Sequence, residues 1–117
     1  MSAGLITINT AKIDWEDDTI TKLPKGVQSK LLFHDPKTGR RDMLIRFPDG
    51  YVEPRHVHEG AHGVVVLRGQ QVAEGVPLNP GDYCYGAANI EHGPFEYHGE
   101  DGCVVFAVMV GDPVHKY

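Results

Sequence analysis

Glycine and proline recur along the whole chain, 14 and 8 times in 117 residues, and only short runs rich in β-branched and aromatic side chains stand between them. Glycine interrupts regular structure through its backbone freedom, and proline through its missing N–H and fixed φ. No window sustains apolar residues at helical spacing. The pattern predicts an all-β chain of about ten short strands, at 5–8, 20–23, 30–34, 41–47, 51–58, 62–68, 70–74, 83–85, 92–97 and 103–110. Asp35-Pro36-Lys37-Thr38-Gly39, Pro48-Asp49-Gly50, Asn79-Pro80-Gly81-Asp82 and the polar stretch 98–102 supply the turns between them. Many short strands without helices dispose of their exposed edges by closing into a barrel.

A chain of this length has room for one domain, and neither repeat nor linker divides residues 1–117. Residues 1–28 read as edge strands and loop, the acidic run Asp14-Trp15-Glu16-Asp17-Asp18 being a solvated loop. The core is small, so pairing into a homodimer is expected. The formal charge of −5 and the scattered basic residues exclude a nucleic-acid surface, which needs clustered Lys and Arg. The longest apolar run, 64–67, is far too short to span a bilayer, and the start of the chain lacks the basic and apolar regions of a secretory signal. A cytoplasmic protein without membrane contact is therefore expected. Cys84 and Cys103 make no disulfide framework and read as reduced, buried side chains.

Four of the seven histidines are spaced in a way that asks for an explanation. His56 and His58 lie two apart in an extended run, so their side chains project from one face while Val57 projects from the other. The short Glu59-Gly60-Ala61 connection returns the chain to His62, and His92 opens a later strand that an antiparallel barrel can set beside the first two. Neutral imidazoles bind first-row transition metals, so the four can surround one divalent ion from one side and leave positions open opposite. An H-x-H pair alone is weak evidence, since either histidine could be an ordinary surface residue. A barrel without metal requires all four spacings to be coincidental.

Glycines frame these residues in register. Gly50-(x5)-His56-x-His58-(x3)-His62-(x6)-Gly69 resembles the first cupin motif at every spacing, with His62 in place of the usual glutamate. A looser second motif runs from Pro80-Gly81-Asp82 to His92, Ala87 and Asn89 replacing the family's proline and glycine. The resemblance implies a cupin-type jelly-roll barrel over 1–117, with the first motif at about 50–69 and the second at about 80–95. It implies His56, His58, His62 and His92 as metal ligands, as in small single-domain cupins with four-histidine sites. Iron or manganese is favoured by the resemblance, and nickel, zinc or copper would accept the same donors. A shell of neutral imidazoles leaves the ion's +2 charge uncompensated and favours an anionic ligand such as an enolate or carboxylate.

Other polar residues are secondary candidates. Arg46, Tyr83, Tyr85 and Glu91 could line the pocket or support the ligands, against plainer roles in solvated faces, core packing or a dimer surface. Glu53, Arg55 and Glu59 flank the histidines, and alternation turns Arg55 away from them. His34, His98 and His115 have no partner spacing and read as surface residues. Strand 103–110 is apolar on both faces, one for the barrel and one for a neighbouring sheet or subunit. The resemblance implies a metal-dependent dioxygenase acting on a small carbonyl-containing molecule. A non-catalytic metal- or ligand-binding sensor, or a metal-dependent isomerase or lyase, remains open beside it.

Overall fold

A computed structural model describes residues 4–117 apart from Lys22 and Pro24. Its elements follow the punctuation of the sequence. In chain order the strands are β1 (Glu16–Asp17), β2 (Gln28–Asp35), β3 (Arg40–Phe47), β4 (Tyr51–Glu53), β5 (Val57–His58) and β6 (Ala61–Arg68). Then come β7 (Gln70–Ala73), β8 (Val76–Leu78), β9 (Tyr83–Gly86), β10 (Phe95–His98), β11 (Cys103–Val110) and β12 (His115–Lys116). The one helical element among the described residues is a single 3₁₀ turn, Thr10–Lys12.

Three antiparallel sheets result: β1-β2-β3-β11-β6-β9, β4-β10-β7-β8 and the two-stranded pair β12-β5. This is a cupin-type jelly roll, and its centre is β11, paired with β3 on one side and β6 on the other. Period-two alternation builds the core, because Met43, Ile45 and Phe47 of β3 turn inward with Cys103, Val105, Ala107 and Met109 of β11. Val66 and Tyr97 join them from β6 and β10, the Tyr97 ring stacked on Phe47 at a centroid distance of 3.6 Å. Gly69, at φ +78°, turns the chain from β6 in the first sheet to β7 in the second. A Cβ there would stand 2.6 Å from the His98 carbonyl oxygen, so only glycine fits.

Several strand boundaries differ from expectation. Residues 5–8 form no strand; Leu5, Ile6 and Ile8 share a surface groove with Phe33 and Phe106 on the outer side of the large sheet. Ile20, Thr21 and Leu23 are likewise outside any strand, and Lys22 of that expected run lies outside the described residues. The run 51–58 is broken in two by Pro54, which cannot donate to a ladder. The acidic loop contributes the short β1, whose Glu16 and Asp17 pair with Ser29 and Gln28. The strands β8 and β12 were not expected, β8 because Pro77 sits at its middle on a sheet edge.

The outward residues of the large sheet are largely apolar on β11, β6 and β9. Tyr83 and Tyr85 are 59% and 60% exposed there, so they are not core packing as one reading of the sequence had it. They face the same side as Val65, Phe106 and Val108 in the strand register. Cys84, of opposite parity, turns toward the cavity, and both cysteines are free thiols. No helix among the described residues is long and apolar enough to cross a membrane.

Candidate metal centre

Five histidines converge on one cavity. His56 and His92 face each other in an antiparallel bridge in which each backbone N–H donates to the other's carbonyl at 2.8 Å. His58 follows on β5, and its carbonyl accepts the Asn89 N–H at 2.8 Å, which ties the second motif to the first. The 59–60 link then packs against the end of β11 so closely that a Cβ on Gly60 would lie 2.1 Å from the Val110 carbonyl oxygen. This close approach brings His62 over His58, their rings stacked at 3.8 Å and 4°. Gly86, opposite His62 on β9, leaves space for the rings of His92 and His58. The fifth imidazole is His115 of β12, which pairs directly with His58.

His115 corrects the sequence reading, which left it on the surface: it is 8% exposed, with ring centroids 4.6 Å from His56 and 5.1 Å from both His58 and His62. The ring nitrogens that His56, His58 and His115 offer lie within 4.8 Å of one another, and these three buried side chains can bind a metal. His34 and His98 are exposed.

Hydrogen bonding fixes the tautomers. Carbonyl oxygens only accept, so an imidazole nitrogen bonded to one must carry the hydrogen. Nδ1 of His56 donates to Pro54 at 2.9 Å, Nδ1 of His58 to Gly60, and Nδ1 of His115 to Thr21 and Pro113 at 3.2 and 3.1 Å. Nε2 of all three therefore keeps its lone pair, the arrangement by which backbone carbonyls orient ligating histidines. His92 differs, since its Nε2 donates to the Ala87 carbonyl at 2.9 Å and Nδ1 holds the lone pair. Nε2 of His62 is buried without any partner.

Burial keeps the imidazoles of His56, His58, His62 and His115 neutral. It lowers the pKa of His56 and His58, and takes His115 down to about 3 and His62 to about 2, the neighbouring histidines adding to the effect at each. Neutral rings with free lone pairs, set beside the unpartnered Nε2 of His62, are the donor set that a divalent transition metal accepts.

Glu53 is the residue that sequence reasoning undervalued. It is 2% exposed, accepts the Tyr97 hydroxyl at Oε1 (3.0 Å), and burial pushes its carboxyl up to about 8 against that hydrogen bond. Its Oε2 has no partner and lies 3.5 Å from Nδ1 of His56 and 3.6 Å from Nε2 of His115. Strict alternation would put residues 53 and 56 on opposite faces. Pro54 breaks the strand between them and returns both to the inside, and that proline is the signal in the sequence.

The remaining candidates stand elsewhere. Arg46 reaches outward, hydrogen-bonded to Gln28 and lying over the Trp15 ring at 4.6 Å, so it does not line the histidine cavity. Glu91 is exposed and pairs with Arg55 at 2.7 Å; Arg55 faces away from the histidines, as alternation predicts. Tyr83 and Tyr85 are not in the wall of the histidine cavity itself, but they line an adjoining surface pocket with Cys84, Gly86, His92 and Phe95. That cavity encloses about 50 Å³, room for a few waters, and its other walls are mostly apolar, including Leu23, Val64 and Phe95.

Comparison with known proteins agrees with this architecture. Among solved structures, KdgF from Halomonas sp. superposes with a TM-score of 0.68 at 25% identity, over 91% of this chain and 93% of that one. An acetylacetone dioxygenase from Acinetobacter johnsonii gives 0.70 at 14% identity, over 95% and 76%. A chain from the complex of Rhodobacter sphaeroides SigE with the anti-sigma ChrR gives 0.64 at 24% identity, over 86% of this chain and 51% of that one. No curated protein matches the sequence. The family described as the ChrR cupin-like domain matches residues 3–110. Jelly roll, histidine cavity and sequence match agree, and the chain belongs to the ChrR cupin-like family.

Proposed function

We propose that this protein is a metal-dependent dioxygenase acting on a small carbonyl-containing organic molecule. His56, His58, His62 and His92 would hold one divalent ion, iron or manganese before nickel, zinc or copper. The observation that carries the reading is the orphaned Nε2 of His62 beside imidazoles whose tautomers leave nitrogen lone pairs inside the cavity. For His92, joining the shell through Nε2 exchanges its hydrogen bond to Ala87 for the ion and moves the ring hydrogen to Nδ1. When bound, the metal supplies Lewis acidity toward a substrate oxygen and a site for dioxygen. The chain's own part is to hold neutral donors, to exclude water with its apolar walls, and to limit the substrate by size. Glu53 stands beside the cavity as the group able to accept or hold a proton there. The acetylacetone dioxygenase superposition supports the substrate class.

The test is metal content by mass spectrometry together with oxygen uptake on acetylacetone and related diketones. Near-stoichiometric metal and oxygen uptake in the wild type, both lost in a His56→Ala/His58→Ala variant, are expected. Substrate turnover without oxygen consumption would move the reading to an isomerase or lyase.

A second reading, a non-catalytic metal- or ligand-binding sensor, is favoured by the cavity of about 50 Å³ and by the likeness to the SigE–ChrR complex. Bound metal with no turnover of any small carbonyl compound selects it. In either case we place the protein in the cytoplasm as a homodimer joined through the outward face bearing Tyr83 and Tyr85, where exposed apolar side chains cluster. Light scattering at the mass of one chain would remove the dimer.

A further inference from the structure

We propose that His115 is a ligand of the same metal centre, and that metal binding fastens residues 113–117 over the cavity. This rests on the metal-binding reading above and adds to it a donor from outside both cupin motifs.

The placement is specific. β12 reaches the site by pairing with β5, His115 opposite His58, and the His115 N–H donates to the Thr21 carbonyl at 2.9 Å. Its ring is buried while Lys116 and Tyr117 beside it are exposed, so the segment lies between the histidines and solvent. A surface ion pair, Lys116 to Glu59 at 3.0 Å, adds little to this attachment. The family match ends at residue 110, before His115.

The chemistry follows from the contacts. Nδ1 is held by two backbone carbonyls and Nε2 keeps its lone pair, the same device that orients His56 and His58. Two nitrogens bound to one ion at about 2.1 Å stand roughly 3–4 Å apart, so the present spacing of up to 4.8 Å closes with shifts of under about 1 Å. Nε2 of His115 also faces the unpartnered Oε2 of Glu53 at 3.6 Å. A cation between the rings would attract that oxygen as well as Nε2 of His115, drawing Glu53 and His115 to the same place.

The test uses Co²⁺ as the probe on metal-free protein, with affinity read from the visible ligand-field bands. Wild type, His115→Ala and His115→Gln are compared, and amide hydrogen exchange of residues 113–117 is followed in the wild type with and without Co²⁺. Expected are one bound Co²⁺, an affinity roughly tenfold or more weaker with altered bands in both variants, and slowed exchange at His115 and Lys116 on loading. The exchange measurement needs no variant, so a folding defect in His115→Ala does not blunt the test. Wild-type affinity and bands in both variants, or unchanged exchange at 115 and 116 in the loaded wild type, would overturn the proposal and leave the metal site standing. Absence of Co²⁺ binding by the wild type overturns the metal-binding reading itself, and this proposal with it.

Discussion

Tyr97 donates its hydroxyl hydrogen to Oε1 of Glu53 at 3.0 Å, and both side chains are fully buried, one on β10 and the other on its neighbour β4. Gln71 of β7 donates in turn to the Tyr97 oxygen at 3.3 Å, so three strands of the four-stranded sheet are joined by one polar chain beneath the histidines. Tyr97→Phe keeps the ring stacked on Phe47 and removes only the hydroxyl. Glu53 then loses its partner in a buried site, and a destabilisation of about 1–3 kcal/mol is expected. Urea unfolding of the metal-free variant checks this, and a loss below about 0.5 kcal/mol would show that the chain of hydrogen bonds contributes nothing net.

Gly60 tests how the 59–60 link aligns the site. Gly60→Ala forces a Cβ into backbone, 2.1 Å from the Val110 oxygen, and neither neighbour is a flexible side chain that can give way. A cost of roughly 1–3 kcal/mol is expected from overpacking. The Gly60 carbonyl that orients His58 moves with it, so Co²⁺ affinity should fall by roughly tenfold as well. Retention of both stability and affinity would mean that the link has freedom this structure does not display.

Much of this arrangement was legible in the sequence because it obeys local rules. Period-two alternation set His56 and His58 on one face with Arg55 turned away, and proline and glycine placed most of the turns. What escaped was set by tertiary contact. His115 enters the site through a two-residue strand that pairs with His58, 57 positions earlier, and nothing local announces that pairing. Residues 5–8 looked like an edge strand by composition, yet their apolar side chains lie in a surface groove and find no strand partner. Arg46 was ambiguous because parity alone does not say which face of β3 is inward; Met43, Ile45 and Phe47 take that face and leave Arg46 to Gln28 and Trp15.

Arg55 adjoins His56 in sequence but is energetically remote from it. Its ion pair with Glu91 is exposed on both sides, a setting in which such pairs contribute about 0–1 kcal/mol. Arg55→Ala is therefore expected to leave the melting temperature within a few degrees of wild type and Co²⁺ affinity within about twofold. Calorimetry and the cobalt titration check this together. A tenfold loss of affinity would show that Arg55 positions His56 through the backbone.

The pH dependence of stability separates the two kinds of buried titratable group in the metal-free protein. His56, His58, His62 and His115 have pKa values lowered from 6.5 by burial, so the unfolded chain takes up protons that the folded chain refuses. Their contribution is fully present above about pH 6.5 and is lost as pH falls toward the folded values, about 3 for His115 and 2 for His62. Glu53 has the opposite sign. Its pKa is raised from 4.5 to about 8, so the folded chain holds a proton that the unfolded chain releases. Its contribution is present below about pH 4.5 and is lost as pH rises through about 8. Four histidines outweigh one carboxyl between pH 4.5 and 6.5, so stability should rise over that interval. Above about pH 7 the unfolded histidines are mostly neutral and the Glu53 contribution dominates these five groups, so stability should decline gently toward pH 8. Urea midpoints across pH 4–9 check the profile, and Glu53→Gln should abolish the decline above about pH 7 while leaving the acid limb in place. A decline that survives in Glu53→Gln would assign it to another group and would place Glu53 as an ionised carboxylate in the folded protein.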